Sequence, residues 1–68
     1  MTDCETILQH LTYRGTLTPA EAYRQYGILR LGARIYDLRQ AGYDIGKDMI
    51  YKKLPDGRTK KWARYFLR

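Results

Sequence analysis

One stretch constrains the fold of this chain more than any other: Leu17 to Ile45, LTPAEAYRQYGILRLGARIYDLRQAGYDI. It predicts two short helices joined by a glycine turn, with an extended segment after the second. Thr18-Pro19-Ala20-Glu21 starts the first of the two. Thr18 caps it, Pro19 suits the opening position where an N–H is not needed, and Glu21 at the third position closes a capping box. Ala22, Tyr23 and Tyr26 recur at helical spacing as its buried side. Gly27 stops it, because glycine takes positive φ freely. The next helix is predicted to start at Ile28 or Leu29 and to run to about residue 41. Leu31, Ile35 and Leu38 form its core-facing stripe. Arg30, Arg34 and Asp37 lie on another face with Ala33 nearby, and Gly42 ends the helix.

The flanks complete the pattern. Thr2 or Asp3 caps an N-terminal helix whose apolar face is Ile7, Leu8 and Leu11, joined by Cys4, and Gly15 closes it. His10 falls off that stripe and reads as a solvated residue. Thr16-Leu17 is too short for an independent strand but long enough to pair with a later hairpin. After Gly42 the residues become strand-like: Met49 to Leu54 and Lys60 to Leu67 are rich in Tyr, Ile, Trp and Phe. Between them Leu54-Pro55-Asp56-Gly57 reads as a tight turn. Gly46 suggests a bulge. Ala63, Tyr65 and Leu67 are expected to face the helices, with Trp62 and Phe66 on the opposite side. The order helix, short strand, helix, helix, strand, strand predicts an α+β fold: three helices and a C-terminal β-hairpin in one domain spanning residues 1–68.

Size and charge narrow what such a domain does. At 68 residues it buries only about 60% of its unfolded surface, so its core is thin. One cysteine cannot form an internal disulfide, and Cys4 with His10 falls short of the four ligands of a structural zinc site. On the first helix the two lie about 240° apart around the axis and do not face each other. With no glycine-rich phosphate loop and no paired carboxylates, the chain does not read as an enzyme, and no metal or cofactor is expected. No apolar run approaches the ~20 residues needed to cross a bilayer, and the N-terminus lacks a signal-peptide pattern. A cytoplasmic protein is expected. The net charge is +6, and it is unevenly placed. Residues 27–68 carry eleven Lys and Arg against four Asp, whereas residues 1–26 carry two Arg against three acids. Such asymmetry favours a polyanionic partner.

The run from Leu17 to Ile45, followed by a basic hairpin, resembles the winged helix-turn-helix domains of small phage and prophage DNA-binding proteins. Those share an "LTPxEA…GIxRLxxRIxxLRxxGxxI" pattern, and the resemblance covers roughly residues 5–67. It implies a winged helix-turn-helix fold, double-stranded DNA as partner, and the helix after Gly27, about residues 28–41, as recognition helix. The wing looks short.

On that reading, Arg30 and Arg34 sit one turn apart and reach the major groove together, where arginine bonds guanine O6 and N7. Ala33 lets the backbone approach the bases. Tyr36 and Asp37 trim the footprint, or Asp37 pairs with Arg34 or Arg30. Arg39 is a weaker candidate, placed to favour the helix dipole. Lys52, Lys53, Arg58, Lys60 and Lys61, on the wing at about residues 51–61, would hold phosphates. The amides around Thr18 are a further phosphate candidate. A transcriptional or recombination regulator fits this pattern, as does pairing into a homodimer on a palindrome. The alternative is a protein-interaction module that sets the basic face against an acidic host or phage protein, with Trp62, Tyr36 and Tyr51 as anchors.

Overall fold

The structure is a computed structural model and describes residues 2–68. Helix α1 (Asp3–Arg14) leads into β1 (Thr16–Leu17), α2 (Pro19–Tyr26), α3 (Leu31–Gln40) and a hairpin of β2 (Ile45–Lys53) and β3 (Thr59–Leu67). The three strands form one antiparallel sheet in the order β1-β3-β2. The two-residue β1 docks on the hairpin, Thr16 opposite Phe66 and Leu17 opposite Tyr65. Three helices and a hairpin-based sheet are the predicted α+β architecture.

The helix ends follow local chemistry. The Thr2 hydroxyl accepts the Glu5 amide at 3.2 Å and caps α1. At α2 the full capping box forms: Thr18 Oγ1 accepts the Glu21 amide at 3.2 Å, and Glu21 Oε1 accepts the Thr18 amide at 3.2 Å. Gly27 adopts the left-handed conformation, φ +68° and ψ +20°, and its amide returns to the Tyr23 carbonyl at 2.9 Å. Replacing Thr18 with alanine removes the hydroxyl that accepts the Glu21 amide and donates to its carboxylate, leaves the backbone half of the box, and should cost about 1 kcal/mol. Thermal unfolding should register this as a drop of about 4–8 °C for a domain of this size.

The core joins Ile7 and Leu11 of α1, Leu17 of β1, Ala22 of α2, Ile28, the α3 stripe Leu31, Ile35 and Leu38, and Ile45 and Tyr65 of the sheet. Cys4, Leu8 and Ala63 pack against its rim. Two expectations fail here. His10 is buried rather than solvated. Three residues after Ile7, it shares that side of the helix, and its Nδ1 lies 2.7 Å from the Tyr26 hydroxyl with the rings edge to face. Tyr23 and Tyr26 are exposed, so Ala22 is the only one of the three α2 residues that enters the core. The short side chain brings α2 close, and Tyr26 serves as a lid over His10 instead of as filling.

The hairpin is longer than expected. Each strand has nine residues, about 30 Å at the usual rise, and the molecule extends 41 Å along its longest axis. The turn is as read: the Gly57 amide reaches the Leu54 carbonyl at 3.0 Å, the Leu54 amide reaches the Arg58 carbonyl at 2.7 Å, and Gly57 takes φ +91°. This is a three-residue loop with glycine at the bulge position. Gly46 makes no bulge, because its pairing with Phe66 continues the register on both sides. Its role is space: a Cβ there would collide with the Phe66 ring. Gly46→Ala should therefore displace that ring and destabilise the domain by about 1–3 kcal/mol, read by chemical denaturation. Strand phase follows the expectation at Tyr65, which is buried, and at Ala63, whereas Leu67 lies near the strand end and is 36% exposed.

Candidate nucleic-acid interface

The expected reader helix is shorter than predicted. α3 starts at Leu31, not Ile28 or Leu29, and ends at Gln40. Ile28 is spent as a buried plug, its amide bonded to the Ala22 carbonyl at 3.2 Å, and Leu29 is turned out to solvent. Arg30 therefore precedes the first helical turn, at φ −122° and ψ 64°, and makes no side-chain cap bond. It is exposed, and α3 begins with no acidic residue in its first turn.

Arg34 lies one turn on, half-buried, with Nη2 3.2 Å from the Asp37 carboxylate. The pairing alternative for Asp37 is the one observed. Arg34 Nε is buried and has no hydrogen-bond partner. Arg30, Arg34, Leu29 and Asp3 line a shallow cleft at the α2–α3 turn. Ala33 is half-buried, and Tyr36 is exposed on the outer side of α3. The two arginines thus share one region, though only Arg34 is carried by the helix. Leu29, 78% exposed, was missed by the sequence reading. An exposed leucine beside two arginines offers an apolar contact of the kind that suits a thymine methyl. The misplaced helix start concealed it.

Arg39 has a structural task. Its Nε and Nη2 both donate to the Ile45 carbonyl, at 3.0 and 2.8 Å. This fork ties the end of α3 to the start of β2 and so fixes the hairpin relative to the helix. Arg39→Lys should loosen that tie, because an ammonium lacks the fork. The expected result is faster amide hydrogen exchange at the α3–β2 junction, with little change at α1.

On the hairpin the sheet pleat divides the cations. Residues opposite one another share a face, and neighbours along a strand point to opposite faces. Tyr65 marks the helix side, so Lys53 and Lys61 lie on that side together with Lys47 and Tyr51. Lys52 and Lys60 lie on the other, directly opposite each other. None of these lysines has an ion-pair partner among the described residues. Arg58 differs: its Nε donates to Asp56 Oδ2 at 2.6 Å within the tip. Trp62, Tyr36 and Tyr51 do not form one surface. Trp62 sits on the sheet face away from the helices, Tyr51 on the face toward them, and Tyr36 on α3.

Among the described residues no cluster of three or more His, Cys, Asp or Glu is placed to hold a metal ion. No described helix is long and apolar enough to cross a membrane. Residues 2–68 match a family described as winged helix-turn-helix domain. No curated protein and no solved structure matches the chain.

Proposed function

The chain belongs to the winged helix-turn-helix domain family, and from that premise we propose that it is a duplex-DNA-binding regulator of phage or mobile-element type. Family membership supports DNA as the partner. In this proposal the α3 region enters the major groove, with Arg30 and Arg34 reading base edges, Ala33 permitting close approach, and Tyr36 and Asp37 bounding the footprint. Asp37 also holds the Arg34 guanidinium in place before DNA arrives. The basic hairpin is the wing: Lys52, Lys53, Lys60 and Lys61 bind phosphates. Arg58 braces the tip through Asp56 while keeping donors for another. The whole 68-residue chain acts as one domain, in the cytoplasm where its target lies.

The observation that carries this reading is Lys52 opposite Lys60, neither of them ion-paired among the described residues. Directly opposed like charges destabilise a strand pair. A hairpin that only had to resist edge pairing would not need them face to face. A phosphate backbone supplies the missing counter-charge, and lysines on both faces of a ribbon can meet phosphates on both sides of a groove.

Lys60→Glu separates the two effects. It converts the repulsive pair into an attractive one, so melting temperature should hold or rise, while duplex affinity falls. A fall in both would mean that Lys60 is needed for folding and not for phosphate. The reading as a whole is tested by selecting bound duplexes from a random pool at moderate salt. A recovered consensus supports base readout, and a palindromic consensus supports pairing of two chains on the site. Recovery of unselected sequence would sink the assignment of α3 as a reader.

A further inference from the structure

The sheet has a second face, turned away from the core. Because Tyr65 points into the core, the alternate positions Phe66, Arg64, Trp62 and Lys60 point away from it, as do their partners Gly46, Asp48, Ile50 and Lys52. None of the three large apolar residues on this face, Ile50, Trp62 and Phe66, belongs to the core cluster, and all three keep part of their surface in solvent. Ile50 and Trp62 are direct cross-strand partners, and the Phe66 ring lies over Gly46. The result is an interrupted apolar stripe on that face, with Ile50 and Trp62 toward the hairpin tip, Phe66 over Gly46, and the Arg64–Asp48 row between them.

Among the described residues its unpaired charges have one sign. Lys52 and Lys60 bracket the stripe toward the hairpin tip, and the Arg68 guanidinium lies over the Phe66 ring at the other end, 5.9 Å from its centroid. The carboxylate on this face, Asp48, is held by Arg64 at 3.5 Å. A ligand here therefore meets apolar area flanked by uncompensated cations.

We infer that this outer sheet face is a protein-docking site for an acidic amphipathic segment, one that lays apolar side chains along Ile50, Trp62 and Phe66 and carboxylates toward Lys52, Lys60 and Arg68. Charge decides among the occupants. A second copy would bring another chain of net charge +6 against the same cations. Duplex DNA would satisfy the cations but presents phosphates outward and keeps its apolar groups within the grooves, which fits Ile50 and Trp62 less well than an apolar helix face. Ile50, Trp62, Phe66 and Arg68 lie outside the proposed DNA contacts, whereas Lys52 and Lys60 belong to both surfaces, so peptide and duplex should compete for those two lysines while the apolar anchors serve the peptide alone.

The chain has a single tryptophan, and it sits in this stripe, so its fluorescence reports the site directly. The probe is a synthetic peptide helix with leucine and phenylalanine on one side and glutamate on the other; the control peptide keeps the glutamates and replaces every apolar residue with serine. The amphipathic peptide should shift Trp62 emission to the blue at saturable concentration, and the control should not. Ile50→Thr, which keeps a β-branched residue in the strand, should weaken the peptide about tenfold, as loss of one anchor does, and leave duplex affinity unchanged. Arg68→Glu should weaken the peptide in the same way. Four results overturn the proposal: no blue shift with the amphipathic peptide, an equal shift with the control peptide, a shift produced by protein concentration alone, or a loss of duplex affinity in Ile50→Thr. The third result would assign the face to a second copy, and the fourth to DNA.

Discussion

Arg30→Ala and Arg34→Ala should each weaken binding to the preferred duplex by about 1–3 kcal/mol, roughly 5- to 150-fold. Their effects on nonspecific duplex should be much smaller. The two residues should differ in kind. Arg30 is exposed and precedes the helix, so its removal subtracts a donor fork and little else. Arg34 is half-buried and paired with Asp37. Its removal also leaves Asp37 without its cation near the phosphates, which adds repulsion to the lost contact. Arg34→Ala should therefore be the more costly of the two, and adding Asp37→Ala to it should recover part of the loss. The two changes interact because their side chains touch, so the double variant should not be the sum of the singles. Gel-shift or anisotropy titrations on a selected site, with a scrambled site as control, measure all of these quantities.

Ile35→Ala should have the largest effect on stability. Ile35 is 1% exposed and sits in the middle of the α3 stripe. Truncating such a residue costs about 2–5 kcal/mol, made up of lost burial and the cavity left behind. Whole domains are stable by only about 5–15 kcal/mol, and small ones lie at the low end. The variant should thus spend much of its stability margin and be largely unfolded at temperatures the parent tolerates. Ile35→Val should cost only about 0.5–1.5 kcal/mol. Circular dichroism during urea unfolding separates these cases. A parent-like midpoint for Ile35→Ala would mean that α3 is not packed as described.

Local chemistry was legible in the sequence. The Thr18–Glu21 capping box, the glycine stops at 15, 27 and 42, the Pro55–Gly57 turn and the Leu31/Ile35/Leu38 stripe each depend on residues within about one or two turns of one another. All of them appear in the fold. What failed depends on distant partners. His10 is buried because Tyr26, sixteen residues away, supplies its Nδ1 with a hydroxyl. Arg39 is committed to the Ile45 carbonyl only once β2 has been placed beside α3. Gly46 looked like a bulge because a glycine in a strand has two explanations, and only its pairing with Phe66 decides for close ring approach. The start of α3 was misplaced because Ile28 and Leu29 suit a helix equally well; the core takes Ile28 as a plug and leaves Leu29 outside. At the site, the residue types were readable but their grouping was not. The pleat sends Lys53 and Lys61 to one face and Lys52 and Lys60 to the other, and Arg34 and Arg58 prove to be ion-paired.

The central claim is that the α3 region and the basic wing grip duplex DNA, and the salt dependence of binding tests it most directly. Each phosphate neutralised on B-DNA contributes about −0.9 to the slope of log affinity against log salt concentration. The four wing lysines should therefore contribute about −3.6, and changing all four to glutamine should flatten the slope by that amount while leaving the fold intact. A parent protein with no measurable affinity for duplex at low salt, or a slope that the four substitutions leave unchanged, would contradict the account.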